Sequence, residues 1–510
     1  MKLFIKTCIL FLCITNISCD SLELEPLNSI ASENFYISGE NLNAGLHGIY
    51  DALQLNGVYG KQLQLDGISD NCIVVSNFTP DMFAFAAGSQ LQVASSFIDM
   101  YQDGYVVIQR ANLLLDNADL IEGIAPDDED LIAAKAEARA LRALAYMKLV
   151  YLFGDVPFTL TTMSREEALQ ISRTDRNTVI DFVLDEFAAT AALLNAVSSD
   201  GRLTKQAVLG FHAKVMLYEA RIGNQTWANA LTAINAAKSA AINGGHSLVD
   251  TDTPDNDYKS LFTEANEGNS EFIFSVKFSS IDLSTSYKEE FSWDAGALFM
   301  HIHQNFADAY DYADGSDYNP IDDTYVGRDP RLSVNIMHEG LTFNGLTYDG
   351  TDTGGFVSSN SPGTATNLFV NKFCTTDFTS SFNEGTLDVP VLRYADILLM
   401  EAEALNETGG DGHTPLNLVR DRAGLPALSG LSQSALKDEI IHERRVELAF
   451  EGQRWFDLIT LGIAENTINA IVEENATVDR GFTVNRNELL PIPQTEIEAN
   501  PNLLPQNPGY

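Results

Sequence analysis

Between residues 130 and 158 the apolar positions recur at helical spacing. In "DLIAAKAEARALRALAYMKLVYLFGDVPF" the side chains of Leu131, Ala134, Ala138, Leu141, Ala145, Lys148 and Leu149 fall on one face, which predicts an amphipathic helix. "GDVPF" stops it, with a Gly and a Pro at its end. The same period runs through 39–55, through 88–119, and through "DRNTVIDFVLDEFAATAALLNA", "LTKQAVLGFHAKVMLYEA" and "WANALTAINAAKSAAIN". It returns at 389–407, "VPVLRYADILLMEAEALNE", and through "ERRVELAFEGQRWFDLI", Glu443 to Ile459.

Within these segments small residues (Ala207, Gly210, Ala213, Ala220) alternate with large ones (Leu217, Tyr218, Trp227). Such complementarity lets helices approach closely, and loose helix pairs of this kind resemble tetratricopeptide units. One pair cannot bury its apolar face alone, so the pairs are expected to stack. After Asn243 the texture changes. Residues 245–388 are rich in Gly, Ser, Thr, Asn, Asp and aromatics, with one short predicted strand at 270–278 and a loop at 348–367. The expected fold is therefore mainly α: a tetratricopeptide-like helical-repeat scaffold with a long irregular, loop-rich insertion. Its expected parts are a signal peptide (1–18), a tether (19–38), an N-terminal scaffold (39–244), the insertion (245–388), and C-terminal helices and tail packing on the scaffold (389–510).

Charge narrows the function. The 510 residues carry 71 acids against 31 bases, a formal charge of −40. Such a surface repels nucleic-acid phosphates and anionic membranes, so nucleic acid is not an expected partner. Lys2 and Lys6, the apolar "CILFLCI" and the small residues of "TNISC" have the order of an export signal. The apolar run is too short to span a bilayer. The segment resembles a bacterial lipoprotein signal: Ser18 occupies the small position before Cys19, while Asn16 stands where that pattern usually carries Leu. Cys19 is the expected lipid anchor, and "DSLELEP" an acidic leash beyond it. Cys72 and Cys374 are left over, and their pairing is open.

Several ordered motifs point further. "LRYADILLMEAEALNE", "NLVRDRAGLP", "HERRVELAFEGQRWFDLI" and "LLPIPQTEIEANPNLLPQNPGY" follow one another over the last 120 residues, after "IQRANLLLDN", "AEARALRALAYMKLVYLFGDVPF" and "GRDPRLSV". Together they resemble the SusD/RagB family of Bacteroidetes outer-membrane lipoproteins. The resemblance implies a protein tethered by lipid to the cell surface and lying over a SusC-like TonB-dependent transporter. It would bind oligosaccharide for import, with no catalysis and no cofactor. A lid protein for peptides or another nutrient, a secreted polysaccharide hydrolase and a purely structural scaffold are the alternatives.

The residues of the 443–459 stretch agree with a non-catalytic role. Ile441, Leu448, Trp455 and Ile459 share a helical face with Gly452, and read as core. Glu447, Glu451, Arg444, Arg445, Arg454 and Asp457 are spaced for pairs along one helix. Glycoside hydrolysis needs two carboxyls facing a cleft, whereas Glu447 and Glu451 sit among arginines that favour the ionised form and leave no general acid. The stretch is expected to brace the fold. "HIH" at 301 and 303 lacks a third metal ligand, and Asp250, Asp252, Asp255 and Asp257 lack the Gly and Glu of a calcium loop; no metal site is assigned.

Sugar rings stack apolar faces on aromatics and bond hydroxyls to polar side chains. Aromatics cluster in the insertion: Tyr287, Phe291, Trp293, Phe299, Phe306, Tyr310, Tyr312, Tyr318 and Tyr325. Trp293 is the Trp of irregular sequence, whereas Trp227 and Trp455 lie in helical patterns. The candidate ligand residues are Trp293, Tyr287 and Phe291, with Asp70, Asn71, Asn77 and Phe78 from "DGISDNCIVVSNFTPDMFAF". From 281 to 388 there are 17 acids and 4 bases, Lys288, Arg328, Arg331 and Lys372. Arg328 and Arg331 belong to "RDPRL", taken as structural, so a neutral oligosaccharide is expected.

Overall fold

The computed structural model describes residues 36, 38–74, 80–89, 95–121, 123–196, 201–278, 300–322, 324–343, 346–350, 366–373, 387–472 and 480–510. The first long helices are α1 (Gly39–Leu53), α2 (Ser95–Asn117), α3 (Glu129–Phe153), α4 (Arg176–Ala191), α5 (Lys205–Arg221) and α6 (Trp227–Asn243). Each packs on its predecessor in the chain, and α1 also touches α3. Side-chain caps start most of them: Ser38, Asp128, Asp175, Thr204 and Thr226 each accept a bond from an N–H of the first turn.

α3 departs from the single predicted stripe. Seventeen of its 25 residues are buried, because it lies between α2 and α4 and also meets α1. A helix enclosed on several sides loses its amphipathic signature. Gly154, at φ 72°, ends it, a conformation that suits a residue without Cβ.

The chain then makes its long excursion and returns onto α6. The predicted helix at 389–407 is two elements. Val389–Arg393 is a strand, β6, fully buried and antiparallel to β2 (Phe272–Val276); Tyr394–Glu407 is helix α7. The run Val-Pro-Val-Leu-Arg carries no helical period, and strand pairing across more than 100 residues decides its state. Gly210 of α5 lets this ribbon come close, since a Cβ there would collide with Leu392. α7 stacks on α6 and is flanked by α8 (His413–Arg422) and α9 (Gln433–Glu447). The solenoid therefore continues across the insertion.

A second sheet joins distant parts in the order β1-β3-β5-β4: Cys72–Val74, Met300–Ile302, Phe369–Val370 and Ile336–Met337. The tail closes the end of α3. Leu490 N–H donates to Leu152 O, and the Asn507 amide donates to Phe153 O and Leu490 O. No described helix is long and apolar enough to cross a membrane. The architecture is mainly α, a tetratricopeptide-like scaffold carrying a loop-rich insertion.

Candidate functional site

The 443–459 stretch is not one helix. α9 ends at Glu447, and a new helix, α10, runs Arg454–Thr460. Between them Phe450 and Gly452 have φ of 63° and 69°. Gly452, expected on one helical face with core residues, instead takes a left-handed turn, and a Cβ added there would strike the Gln62 side chain. Ile441 and Ile459 are half-buried, while Ile440, Leu448 and Trp455 form core.

None of the acids and bases of this stretch pairs along its own helix: Arg444 meets Asp457 across the turn, and the others find partners outside the stretch. Glu447 is fully buried and accepts from Arg331 (2.9 Å), Arg393 (3.0 Å) and Arg422. Glu451 accepts from Arg393 at 2.7 and 2.8 Å and from Lys372 at 2.7 Å. Asp329, Glu271 and Glu443 complete the cluster, with Arg420 on Glu443. Five bases (Arg331, Lys372, Arg393, Arg420, Arg422) thus meet five acids (Asp329, Glu271, Glu443, Glu447, Glu451). A second cluster sets Lys214, Arg221 and Arg444 against Asp396, Glu403 and Asp457. Charges this deep survive only when paired and hydrogen-bonded. Burial pushes the Glu447 carboxyl up, but Arg422, Arg393 and Arg331 outweigh it and hold it at about 2. A carboxyl so held cannot act as a general acid near neutrality, and the brace reading of this stretch stands.

Two candidate ligand residues, Asp70 and Asn71, find internal partners in the same network. Asp70 and Asn71 are fully buried. Arg454 grips both Asp70 oxygens at 2.7 and 2.8 Å, and Arg445 adds an ion pair at 3.0 Å. Asn71 accepts from Arg445 and donates to Asp66, whose carboxylate also takes the Gly452 N–H. Asp70 and Asn71 fasten the 66–71 segment to Arg445 of α9 and Arg454 of α10, either side of the turn, and present no open polar face. The sequence pointed to their chemistry but held no sign of the arginines some 370 positions away.

Cys19, Asn77, Phe78, Tyr287, Phe291, Trp293, Phe299 and Cys374 lie outside the described residues. Their attachment points are informative. β1 and β3 are antiparallel with Val74 opposite Met300. The segment leaving after Val74 and the segment arriving at Met300 therefore join the sheet side by side. Of the remaining insertion aromatics, Phe306 and Tyr310 are fully buried and belong to the core. Tyr312, Tyr318 and Tyr325 stay partly exposed. Tyr312 and Tyr318 meet edge-on at 5.7 Å, the Arg328 guanidinium caps Tyr318 at 3.1 Å, and Tyr325 stacks on His338 at 4.1 Å. Ile321 and Val326 on the same excursion are 87% and 83% exposed, an apolar surface the sequence reading missed.

The other constellations resolve into structure. His303 is buried, with Nε2 beside Arg480 at 3.3 Å, while His301 sets its ring edge-on against Phe369. The Asp257 carboxylate accepts from the N–H and hydroxyl groups of Thr251 and Thr253. Among the described residues no three His, Cys, Asp or Glu side chains are grouped to hold a metal. Trp227 is half-buried and packs against the core.

Two family profiles match consecutive parts of the chain: "Starch-binding associating with outer membrane" over residues 22–217, and "SusD family" over 265–510. SusD-like protein P25 of Formosa agariphila is 30% identical over a 552-residue alignment covering 98% of each chain. Starch-binding protein SusD of Bacteroides thetaiotaomicron is 29% identical over 123 residues, 24% of this chain and 22% of that one. Among solved structures, a SusD-like carbohydrate-binding protein of Bacteroides fragilis superposes with a TM-score of 0.80 at 23% identity, covering 92% of this chain and 100% of its own. A laminarin-binding SusD-like protein reaches 0.75 at 24%, covering 93% and 100%. The structural likenesses establish the fold; the sequence likeness, continuous over both chains, establishes kinship, and the chain belongs to the SusD family.

Proposed function

We propose that this chain captures a neutral oligosaccharide at the cell surface, held to the outer membrane by lipid on Cys19, and passes it to a SusC-like TonB-dependent transporter. It performs no catalysis. The observation that carries the reading is the register of Val74 opposite Met300. It roots the two segments bearing the candidate aromatics, Phe78 on one and Tyr287, Phe291 and Trp293 on the other, on neighbouring strands of one sheet. The names of relatives support the ligand class: one binds starch and another laminarin, both neutral glucans.

Charge supports the word neutral. Three of the four bases in 281–388 are committed internally. Arg331 and Lys372 lie in the ion-pair cluster, and Arg328 donates to the carbonyls of Tyr310 and Ala307. Few cations remain there to receive a carboxylate or sulfate. Calorimetry with laminarin, starch, xylan and mannan beside alginate and sulfated glycans tests the reading, with Trp293→Ala as the variant. Loss of a stacking ring should weaken a neutral glycan by about 1 to 3 kcal/mol, by analogy with bases stacked on aromatics. Tight binding of an anionic glycan, unchanged in Trp293→Ala, refutes both the charge and the platform argument. Release of shorter sugars during incubation refutes the non-catalytic assignment.

A further inference from the structure

One member of the apolar stripe on α3 is not apolar. Lys148 shares that face with Ala145 and Leu149. It is half-buried, beside a cavity of about 40 Å³ walled by Phe211 of α5, Val391 of β6, Phe456 of α10 and Tyr59 of the segment after α1. Its nitrogen lies 4.6 Å from the centre of the Tyr59 ring. Among the described residues it has neither an ion-pair partner nor a hydrogen bond. Lys214, Tyr151 and Tyr218 on the same wall are committed. Lys214 pairs with Asp396 at 2.8 Å and donates to Gln453 at 2.9 Å, Tyr151 donates to Glu219 at 2.6 Å, and Tyr218 donates to Gln453 at 3.4 Å.

An amine placed so prefers to be neutral. Burial lowers Lys148 to about 7, against the pull of Asp103. Asp103 is itself raised by burial and spends an oxygen on the Gly57 N–H at 2.8 Å. At pH 8 an ordinary lysine is less than about 1% neutral, while a lysine titrating near 7 is roughly 90% neutral. A neutral amine in an apolar pocket is a nucleophile, and the pocket selects its electrophile. A cavity of about 40 Å³ admits only a few heavy atoms, too few for a sugar ring, and its walls are aromatic and aliphatic. Carbon dioxide is small, apolar and electrophilic, and meets both limits.

We propose that Lys148 is a carbamylation site whose co-reactant is dissolved carbon dioxide. The Nζ lone pair forms a bond to carbon, one C–O π pair moves onto oxygen, and an N–H proton passes to water. The product is a carbamate with one negative charge, sharing its cavity with the Lys214 ammonium. Nothing in this proposal depends on the glycan reading, and no result with glycans bears on it. The test is trapping on the full chain. Protein equilibrated with 13C-bicarbonate at pH 8 is treated with triethyloxonium, which ethylates carbamates, and its peptides are mapped by mass spectrometry. Lys148 should carry the labelled adduct at least about tenfold above exposed Lys205, the roughly hundredfold advantage in neutral amine less the cost of weaker basicity. In 13C NMR a carbamate carbon of the wild type should vanish in Lys148→Met, checked for an unchanged melting temperature. The peptide map needs no variant, so it decides even where Lys148→Met does not fold. No adduct at Lys148, an excess over Lys205 below tenfold, or a carbamate spectrum unchanged in folded Lys148→Met overturns the proposal.

Discussion

Replacing Glu447 by Gln tests the brace most directly. Gln keeps the shape of the protonated acid and removes its charge. In the native protein burial pushes the Glu447 carboxyl up, but Arg422, Arg393 and Arg331 outweigh it and hold the group well below its ordinary range, so the ionised form is favoured at neutral pH. The substitution leaves Arg331, Arg393 and Arg422 facing one acid fewer in a space without solvent, and breaking a buried pair from one side costs about 3 to 5 kcal/mol. The expected loss is therefore about 3 to 5 kcal/mol. Urea unfolding at pH 7, followed by the fluorescence of buried Trp455, measures it. The double variant Glu447→Gln/Arg422→Met restores the charge balance and should recover more than 1 kcal/mol of the loss, as coupling within a network requires. A loss below about 1 kcal/mol, the range of exposed ion pairs, would refute the claim that these charges act as an interior brace.

Other outcomes follow from neighbouring residues. Gly452→Ala should destabilise by about 1 to 3 kcal/mol in thermal melts, because φ is 69° and the Gln62 side chain fills the space a Cβ needs. Stability should fall on acidification below about pH 4, because Glu447, Glu451 and Asp457 have carboxyls held below their ordinary range by paired arginines that outweigh burial; their contribution is complete above the unfolded pKa and is lost through the folded one. Asp66 runs the other way: burial raises it to about 6, so its contribution declines as pH climbs from about 4 to 6. In chemical melts across that window Asp66→Asn should therefore abolish this decline, and an unchanged pH slope would contradict the assignment. Cys19→Ala should move the protein from the membrane fraction to the soluble one, since stable anchoring needs the several chains of a lipoprotein; sedimentation with membranes and no acyl mass on wild-type Cys19 would refute the anchor.

How much was legible in the sequence depended on the range of the interactions involved. Helices α1 to α6 announced themselves because apolar spacing is local, and the strand at 272–276 did so by composition. The break at 448–453 was hidden, since its cause is a turn closed by Asp66 and Gln62, nearly 400 residues upstream. The strand at 389–393 was hidden for the same reason: its partner is β2. Arg444 and Glu447 were read as partners along one helix because that is the pairing a linear pattern can display. Their actual partners, Asp396 and Asp457 for one and Arg331, Arg393 and Arg422 for the other, follow from tertiary placement.

That placement explains why an acidic chain spends so many of its few bases indoors. The larger cluster collects Glu271 from beside β2, Asp329, Arg331 and Lys372 from the insertion, Arg393 from β6, Arg420 and Arg422 from α8, and Glu443 to Glu451 from α9 and its turn. These are the points where the insertion leaves the scaffold and rejoins it. Apolar packing alone would hold such a junction but would tolerate sliding, because one aliphatic contact resembles another. Bidentate arginine–carboxylate pairs do not slide, since a displacement leaves both charges buried and unpaired. The cluster thus fixes the described parts of the insertion, through Glu271, Asp329, Arg331 and Lys372, in register with the helices.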